Sequence, residues 1–330
     1  MRNLTYYDTP EFLTTAFHLI TVFEVPIHLF GAYCILFKTP DSIKSVKWSM
    51  LNLHFWSVLL DLGFNVMTCP FMLYPAMAGF PLGLLAKIGV PTAIQTYLVV
   101  AIFSAVSTSI ITIMENRYNI LFARSNRWKL FRVPYLALNY LVTFTYFLYP
   151  TCMIPDQKIA LEIVRMRHPE IHQFVFEYHV FVFALDVTTT VVSILIFSQF
   201  SVYQSFIFVY LLITNLQKSV KKTTLSQRTR KLQQSFIRAV SIQIFAPLLI
   251  LAPPMFYIGP SIVLNYYNQT VNNFSFIVMS LHGLISTIIM LLIHEPYRNF
   301  CCALIWTRYW SAAQNPPNRT SVAVRRFTPF

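Results

Sequence analysis

Seven apolar runs, each long enough to cross a lipid bilayer as a helix, dominate this chain: residues 12–37, 48–74, 92–114, 134–153, 191–216, 236–258 and 274–293. A hydrocarbon core roughly 30 Å thick takes about 20 residues of helix. Helix is the form lipid enforces, because a lone run satisfies its own backbone hydrogen bonds, whereas barrel strands read as alternating segments of roughly 10 residues. The composition agrees, with 56% hydrophobic and only 11% charged residues, less than half the roughly 25% charge of soluble domains. Gly is scarce at 7 residues, against 30 Phe and 18 Tyr that can face lipid or fill gaps between helices. The fold class that follows is all-α integral membrane: one seven-transmembrane helix bundle over residues 1–330, with a short tail at 294–330. The first run is about twice the length of a signal-peptide apolar region and follows the acidic, aromatic stretch Tyr6 to Glu11, so it is expected to stay in the mature protein.

The fifth run is the ambiguous one. The apolar stretch from Phe174 to Leu216 is broken only by Glu177, His179 and Asp186, and either one crossing or two could be drawn through it. No Gly or Pro between Glu170 and Ala246 supplies a turn at membrane depth, and Phe174 to Asp186 is too short and acidic to span. It reads as a loop leading into one helix. Charge then sets the orientation, since Lys and Arg accumulate in cytoplasmic loops. With the N-terminus outside, only Arg2, Lys87, Lys158, Arg165 and Arg167 of the 25 Lys and Arg residues fall outside. An eighth crossing would destroy that bias. The sequons at Asn3, Asn268 and Asn273 fall outside in the same topology and are the expected glycosylation sites, while the one at Asn318 falls in the cytoplasmic tail.

The formal net charge of +13 lies between apolar runs rather than on a soluble module, so nucleic acid is not an expected partner. Cys34, Cys69, Cys152, Cys301 and Cys302 have no CxxC spacing and no partner His in a ligand pattern, so neither a metal nor any other cofactor is expected. No HExxH or GxSxG occurs, which argues against an enzyme. Cys69 and Cys152 both fall near outer span ends, where a disulfide or two thiols fit equally.

The third run ends Ile113-Met114-Glu115-Asn116-Arg117-Tyr118. It resembles the Asp/Glu-Arg-Tyr at this position of seven-helix receptors, with Asn116 as an extra residue. There the acid holds the arginine at rest, and the arginine meets a G protein when the cytoplasmic helix ends part. Arg117 read alone is equally one more positive anchor at the inner interface. The seventh run ends Leu292-Ile293-His294-Glu295-Pro296-Tyr297-Arg298, where Pro296 is expected to stop the helix and Tyr297 to sit at the interface. Beyond it, residues 299–310 fit a short amphipathic helix on the inner leaflet, with Cys301 and Cys302 either palmitoylated or bare thiols.

Lys44-Ser45-Val46-Lys47-Trp48 through Trp56, Ile154-Pro155-Asp156-Gln157, Phe245-Ala246-Pro247-Leu248 and Ser280-Leu281-His282-Gly283, followed by His294 to Arg298, together resemble the nematode serpentine receptor class H chemoreceptors, from about Tyr7 to Tyr309. The resemblance implies a G-protein-coupled chemosensory receptor in the plasma membrane, in the ciliary membrane of sensory neurons. Its implied partners are an external small-molecule cue, a heterotrimeric G protein and the lipid bilayer. Coupling is expected at Glu115, Arg117, Tyr118 and the basic loop residues Lys221, Lys222 and Arg230. Pro247, Pro253 and Pro254 remove hydrogen bonds in the sixth run and bend it. With His294, Pro296 and Tyr297 they are the expected conformational switch.

Gln95, Tyr97, Tyr257, Ser280 and His282 could line a lipophilic outer pocket. Glu24 and Asp61 are carboxylates at membrane depth, where a charge is costly and needs partners or water. Asp61 could join Asn52, His54 and Asn65, bind a cation, or stay protonated as a structural acid. The competing class is a transporter or channel for a small solute. It calls for internal repeats and broken helices in matching halves, and the sequence has neither.

Overall fold

The computed structural model describes residues 4–123, 127–221, 242, 245 and 249–314. Asn3, Lys222, Arg230 and Pro247 lie outside the described residues. The first span is one helix, Pro10–Phe37, which runs through Pro26. Thr9 caps it, its hydroxyl accepting the Phe12 N–H at 3.3 Å, and Pro10 takes the first turn, where a missing N–H costs nothing. The third span is Thr92–Tyr118 and the fifth Thr188–Lys221. The seventh is two helices, Gln269–Ser280 and His282–Ile293, broken at Leu281. The second is Lys47–Leu62 extended by a wider π turn, Gly63–Thr68, the fourth is Trp128–Thr145 followed by the short turn Leu148–Cys152, and the sixth is described over Leu249–Leu264. That last helix passes through Pro253 and Pro254 without interruption.

The bundle is turned inside out relative to a soluble protein. Phe23, Leu29 and Tyr203 are 66%, 68% and 68% exposed on the outer faces, while Glu24, Asp61 and Asn65 are fully buried. Lipid accepts the first group and rejects the second, so the polar residues seek one another between helices. Span three is the central helix, packed against spans two, four and five, while span one packs on span two and the second half of span seven. Asn52 donates to Ser109 Oγ at 3.0 Å and to the Tyr140 hydroxyl at 2.7 Å, and the Thr108 and Thr143 hydroxyls meet at 2.6 Å. These ties join spans two, three and four.

The end of the bundle that carries the N-terminus is closed by a small antiparallel sheet, in the order β1 (Pro70–Met72), β2 (Met77–Pro81), β3 (Phe181–Ala184). The second apolar run therefore leaves the helix at Thr68 rather than at Tyr74: Cys69 turns left-handed, and Pro70 opens a strand. Gly79 is required in β2, since a Cβ there would lie 2.5 Å from the Phe71 carbonyl oxygen. The stretch before span five is a 3-10 turn, Gln173–Glu177, followed by β3. The Gln157 side chain pairs with Val182 as a further strand would, donating to its carbonyl at 3.0 Å and accepting its N–H at 2.9 Å. Cys69 is buried, with its thiol on the Asn65 carbonyl, Cys152 is exposed, and both are free.

Candidate functional site

At the end of the bundle away from the sheet, span three presents Glu115, Asn116 and Arg117. Residues two apart on a helix project about 200° apart, so the acid and the arginine face different neighbours. Glu115, fully buried, accepts from Trp128 Nε1 at 2.9 Å and from Arg132 Nε at 2.9 Å. The acid of the motif thus holds an arginine of span four, a correction to the pairing that the resemblance implies. Asn116, the extra residue, accepts from Arg132 Nη2 at 2.7 Å and donates to Ser49 Oγ at 2.9 Å, joining spans two, three and four. Arg117 is 8% exposed and lies in electrostatic reach of Tyr297 and His294. Tyr118 packs its ring against Trp128 and Phe208 of span five.

Tyr297 is not at the interface but fully buried, packed with Cys34, Ile35, Val46 and Met50. Thr39 gives its hydroxyl proton to the Ile35 carbonyl at 2.6 Å, so Tyr297 is the donor in the 2.7 Å contact between the Thr39 and Tyr297 hydroxyls. The chain breaks at His294, whose ψ of 111° is extended, and Pro296 sits in the first turn of a new helix, Glu295–Gln314, rather than ending the old one. From that helix Phe300 reaches the C-terminal end of span one, stacking on Phe30 at 6.2 Å and taking Lys38 Nζ over its ring at 4.4 Å. Cys302 is exposed and Cys301 half-buried. Lys221 lies in the span-five helix, at the edge of the described residues.

Mid-bundle, Asp61 does not join Asn52, which is nine residues away and so about half a turn around span two. Its partners come from spans one and seven. The break at Leu281 frees the first N–H groups of the following helix, and the Asp61 carboxylate accepts two of them, Gly283 N at 3.0 Å and Leu284 N at 2.8 Å. A carboxylate suits that position because the helix N-terminus is positive. His28 Nε2 stands 3.2 Å from Asp61 Oδ2, and His28 Nδ1 stands 3.1 Å from Thr287 Oγ1. Asn65 donates to Glu24 Oε2 at 2.7 Å, and His54 Nε2 meets the His28 carbonyl at 3.0 Å. Two glycines allow this closeness. A Cβ on Gly283 would lie 2.5 Å from Asp61 Oδ2, and one on Gly31 would lie 2.6 Å from Thr287 Cγ2. The sequence offered Asn65 as a partner for Asp61, but the structure gives it to Glu24 across the bundle; nothing in the sequence pointed to His28 or Thr287, which lie in apolar runs other than that of Asp61.

The expected pocket residues are divided. Tyr97, Tyr257 and Ser280 give their hydroxyls to the carbonyls of Phe144, Asn268 and Ile277. Gln95 Oε1 and His282 Nδ1 are buried and without hydrogen-bond partners among the described residues. Asn268 caps the helix Gln269–Ser280 and is half-buried. Asn273 is 1% exposed, its amide nitrogen donated to the Tyr7 carbonyl at 2.8 Å. A glycan has no room on that nitrogen, which removes Asn273 from the expected glycosylation sites.

The model of a family described as serpentine type 7TM GPCR chemoreceptor Srh matches residues 8–307. Serpentine receptor class H-72 of Caenorhabditis elegans is 28% identical over 325 residues, covering 90% of each chain. The crystal structure of squid rhodopsin superposes with a TM-score of 0.56 at 10% identity, covering 94% of this chain and 89% of the other, a likeness of fold alone.

Proposed function

From the premise that this chain belongs to the Srh family of serpentine seven-transmembrane chemoreceptors, a family of receptors rather than enzymes, we propose that it binds an external small-molecule cue and activates a cytoplasmic heterotrimeric G protein. The N-terminus and the sheet then face outward, and the basic loops and tail face the cytoplasm of a chemosensory cilium. The charge bias of the loops supports this orientation.

The observation that carries the reading is the buried assembly at the inner end. Glu115 and Asn116 clamp Arg132, and Arg117, in electrostatic reach of Tyr297 and His294, has only 8% of its surface exposed. This is a resting arrangement: a cue that favours parted helices releases the clamp and presents Arg117, Tyr118 and the basic loop with Lys221, Lys222 and Arg230 to the G protein. Pro253 and Pro254 leave hydrogen bonds unmade in span six and so ease its bending, and the break at Leu281 does the same for span seven. Gln95 near the outer end of span three and His282 at the mid-bundle break of span seven keep polar atoms with capacity for a cue. Asn3 and Asn268 carry glycans, and Cys301 and Cys302 carry the acyl chains.

The test is Arg117→Ala at matched surface expression, read by calcium imaging during a screen of small volatile and water-soluble cues. Loss of the response with surface expression retained is the expected result. A response equal to the wild type rejects the coupling role of Arg117, and a C-terminal epitope reached by antibody on unpermeabilised cells rejects the orientation.

A further inference from the structure

Glu24, His28 and Asp61 place one ligand atom each within 4.8 Å of one another, on two helices, at 0%, 3% and 0% exposure. The hydrogen bonds around them fix where the protons lie. Thr287 Oγ1 gives its proton to the Gly283 carbonyl at 2.8 Å, so in its 3.1 Å contact with His28 the hydroxyl oxygen accepts and Nδ1–H donates. That leaves Nε2 as the nitrogen turned toward Asp61 Oδ2, 3.2 Å away. Two such atoms cannot face each other with lone pairs alone, so one positive centre must stand between them. A proton would satisfy those two. Glu24 is the third ligand, its Oε2 taken by Asn65 and its Oε1 fully buried and without a hydrogen-bond partner among the described residues, and a proton shared by the other two leaves that oxygen unanswered.

We propose that this triad is a binding site for a divalent first-row transition cation, zinc above all. The ligand set is two carboxylates and one imidazole, without sulfur, a set suited to such ions. The 3.2 Å between His28 Nε2 and Asp61 Oδ2 is close to the edge of a tetrahedron whose metal–ligand bonds are roughly 2.0–2.2 Å, and a Glu24 carboxylate oxygen lies within 4.8 Å of both. A water or the second Glu24 oxygen fills the fourth. Two charges on the ion balance two carboxylates, which removes the cost of leaving them ionised in a dry interior. The outer contacts are those metal ligands need: Thr287 holds the far nitrogen of His28, Gly283 and Leu284 hold Asp61, and Asn65 holds Glu24. A cavity of about 10 Å³, roughly the room of one water, is lined by His54, Ser57 and Thr287 beside the triad. The ion would pin span one to span two, with span seven held through the hydrogen bonds of Gly283, Leu284 and Thr287 to the ligands. The assignment rests on the triad alone and stands or falls separately from the signalling role.

The experiment is a Co²⁺ titration of the purified full-length protein in lipid nanodiscs after chelator treatment, followed by visible absorption, with Zn²⁺ as competitor. The expected result is one ion per chain, displaced by Zn²⁺, with affinity lowered roughly tenfold or more in Glu24→Gln and in His28→Gln and unchanged in His172→Gln. Absence of saturable binding, or binding that both triad variants leave untouched, overturns the proposal. Should a triad variant fail to elute as a folded protein, X-ray absorption of the Co²⁺-loaded wild type decides. One imidazole among oxygen ligands supports the site, and none, or more than one, overturns it.

Discussion

Gly283→Ala is the substitution whose cost follows most directly from the packing of spans two and seven. Its Cβ would stand 2.5 Å from Asp61 Oδ2 and 2.8 Å from both Cγ and Oδ1, so the carboxylate must retreat by about 1 Å to reach ordinary contact. Retreat lengthens the bonds from Gly283 N and Leu284 N, now 3.0 and 2.8 Å. Hydrogen bonds to a charged group contribute about 1.5–3 kcal/mol each, and forced overpacking costs about 1–3 kcal/mol. Against this, Ala is favoured over Gly within a helix by about 0.5–1 kcal/mol. If one of the two bonds is lost, the net destabilisation is about 1.5–5.5 kcal/mol. Gly259→Ala is the matched control, because nothing lies within 4 Å of its Cβ position, and it should be neutral or slightly stabilising. The assay is thermal unfolding of the purified full-length protein in one detergent, the two variants measured beside the wild type. A Gly283→Ala protein that melts with the wild type, or no earlier than Gly259→Ala, would refute the claim that the Asp61 carboxylate is held against the broken start of the last helix.

Arg132→Ala strips Glu115 of one of its two partners and leaves a buried carboxylate held by Trp128 alone. A loss of about 2 kcal/mol from the closed state raises cue-independent nucleotide exchange by roughly thirtyfold, and basal exchange at the wild-type level would contradict it. Tyr297→Phe removes the hydroxyl donated to Thr39 at 2.7 Å and should lower stability by about 1 kcal/mol; a double-mutant cycle with Thr39→Val isolates that bond and should give no further loss in the pair. Asn268→Gln should reduce the glycosidase-sensitive mobility shift on gels to the single step contributed by Asn3, whereas Asn273→Gln should leave glycan mass unchanged while lowering the melting temperature, because its amide holds the Tyr7 carbonyl.

The amino-acid sequence by itself determined that this chain is a membrane helix bundle, and its motifs placed it in the serpentine class H family that the family comparison then showed. Both are local properties: the length and apolarity of each run decide its transfer into lipid, and short motifs read the same wherever their helix sits. What the tertiary structure decided was partnership. Asn116 in the sequence only interrupts a motif, but across the bundle it joins Ser49 to Arg132, and Glu115 pairs with an arginine 17 residues on rather than the one beside it. The second apolar run ends in a strand because Met77–Pro81, across a short turn, pairs with it, and Phe181–Ala184, far later in the chain, adds the third strand on the far side of Met77–Pro81. Asp61 stood out as a costly charge, yet its answer lay in His28 and in two N–H groups of a helix more than two hundred residues away. A side chain's face follows from helical periodicity, but what stands opposite that face follows only from which helices the fold sets side by side.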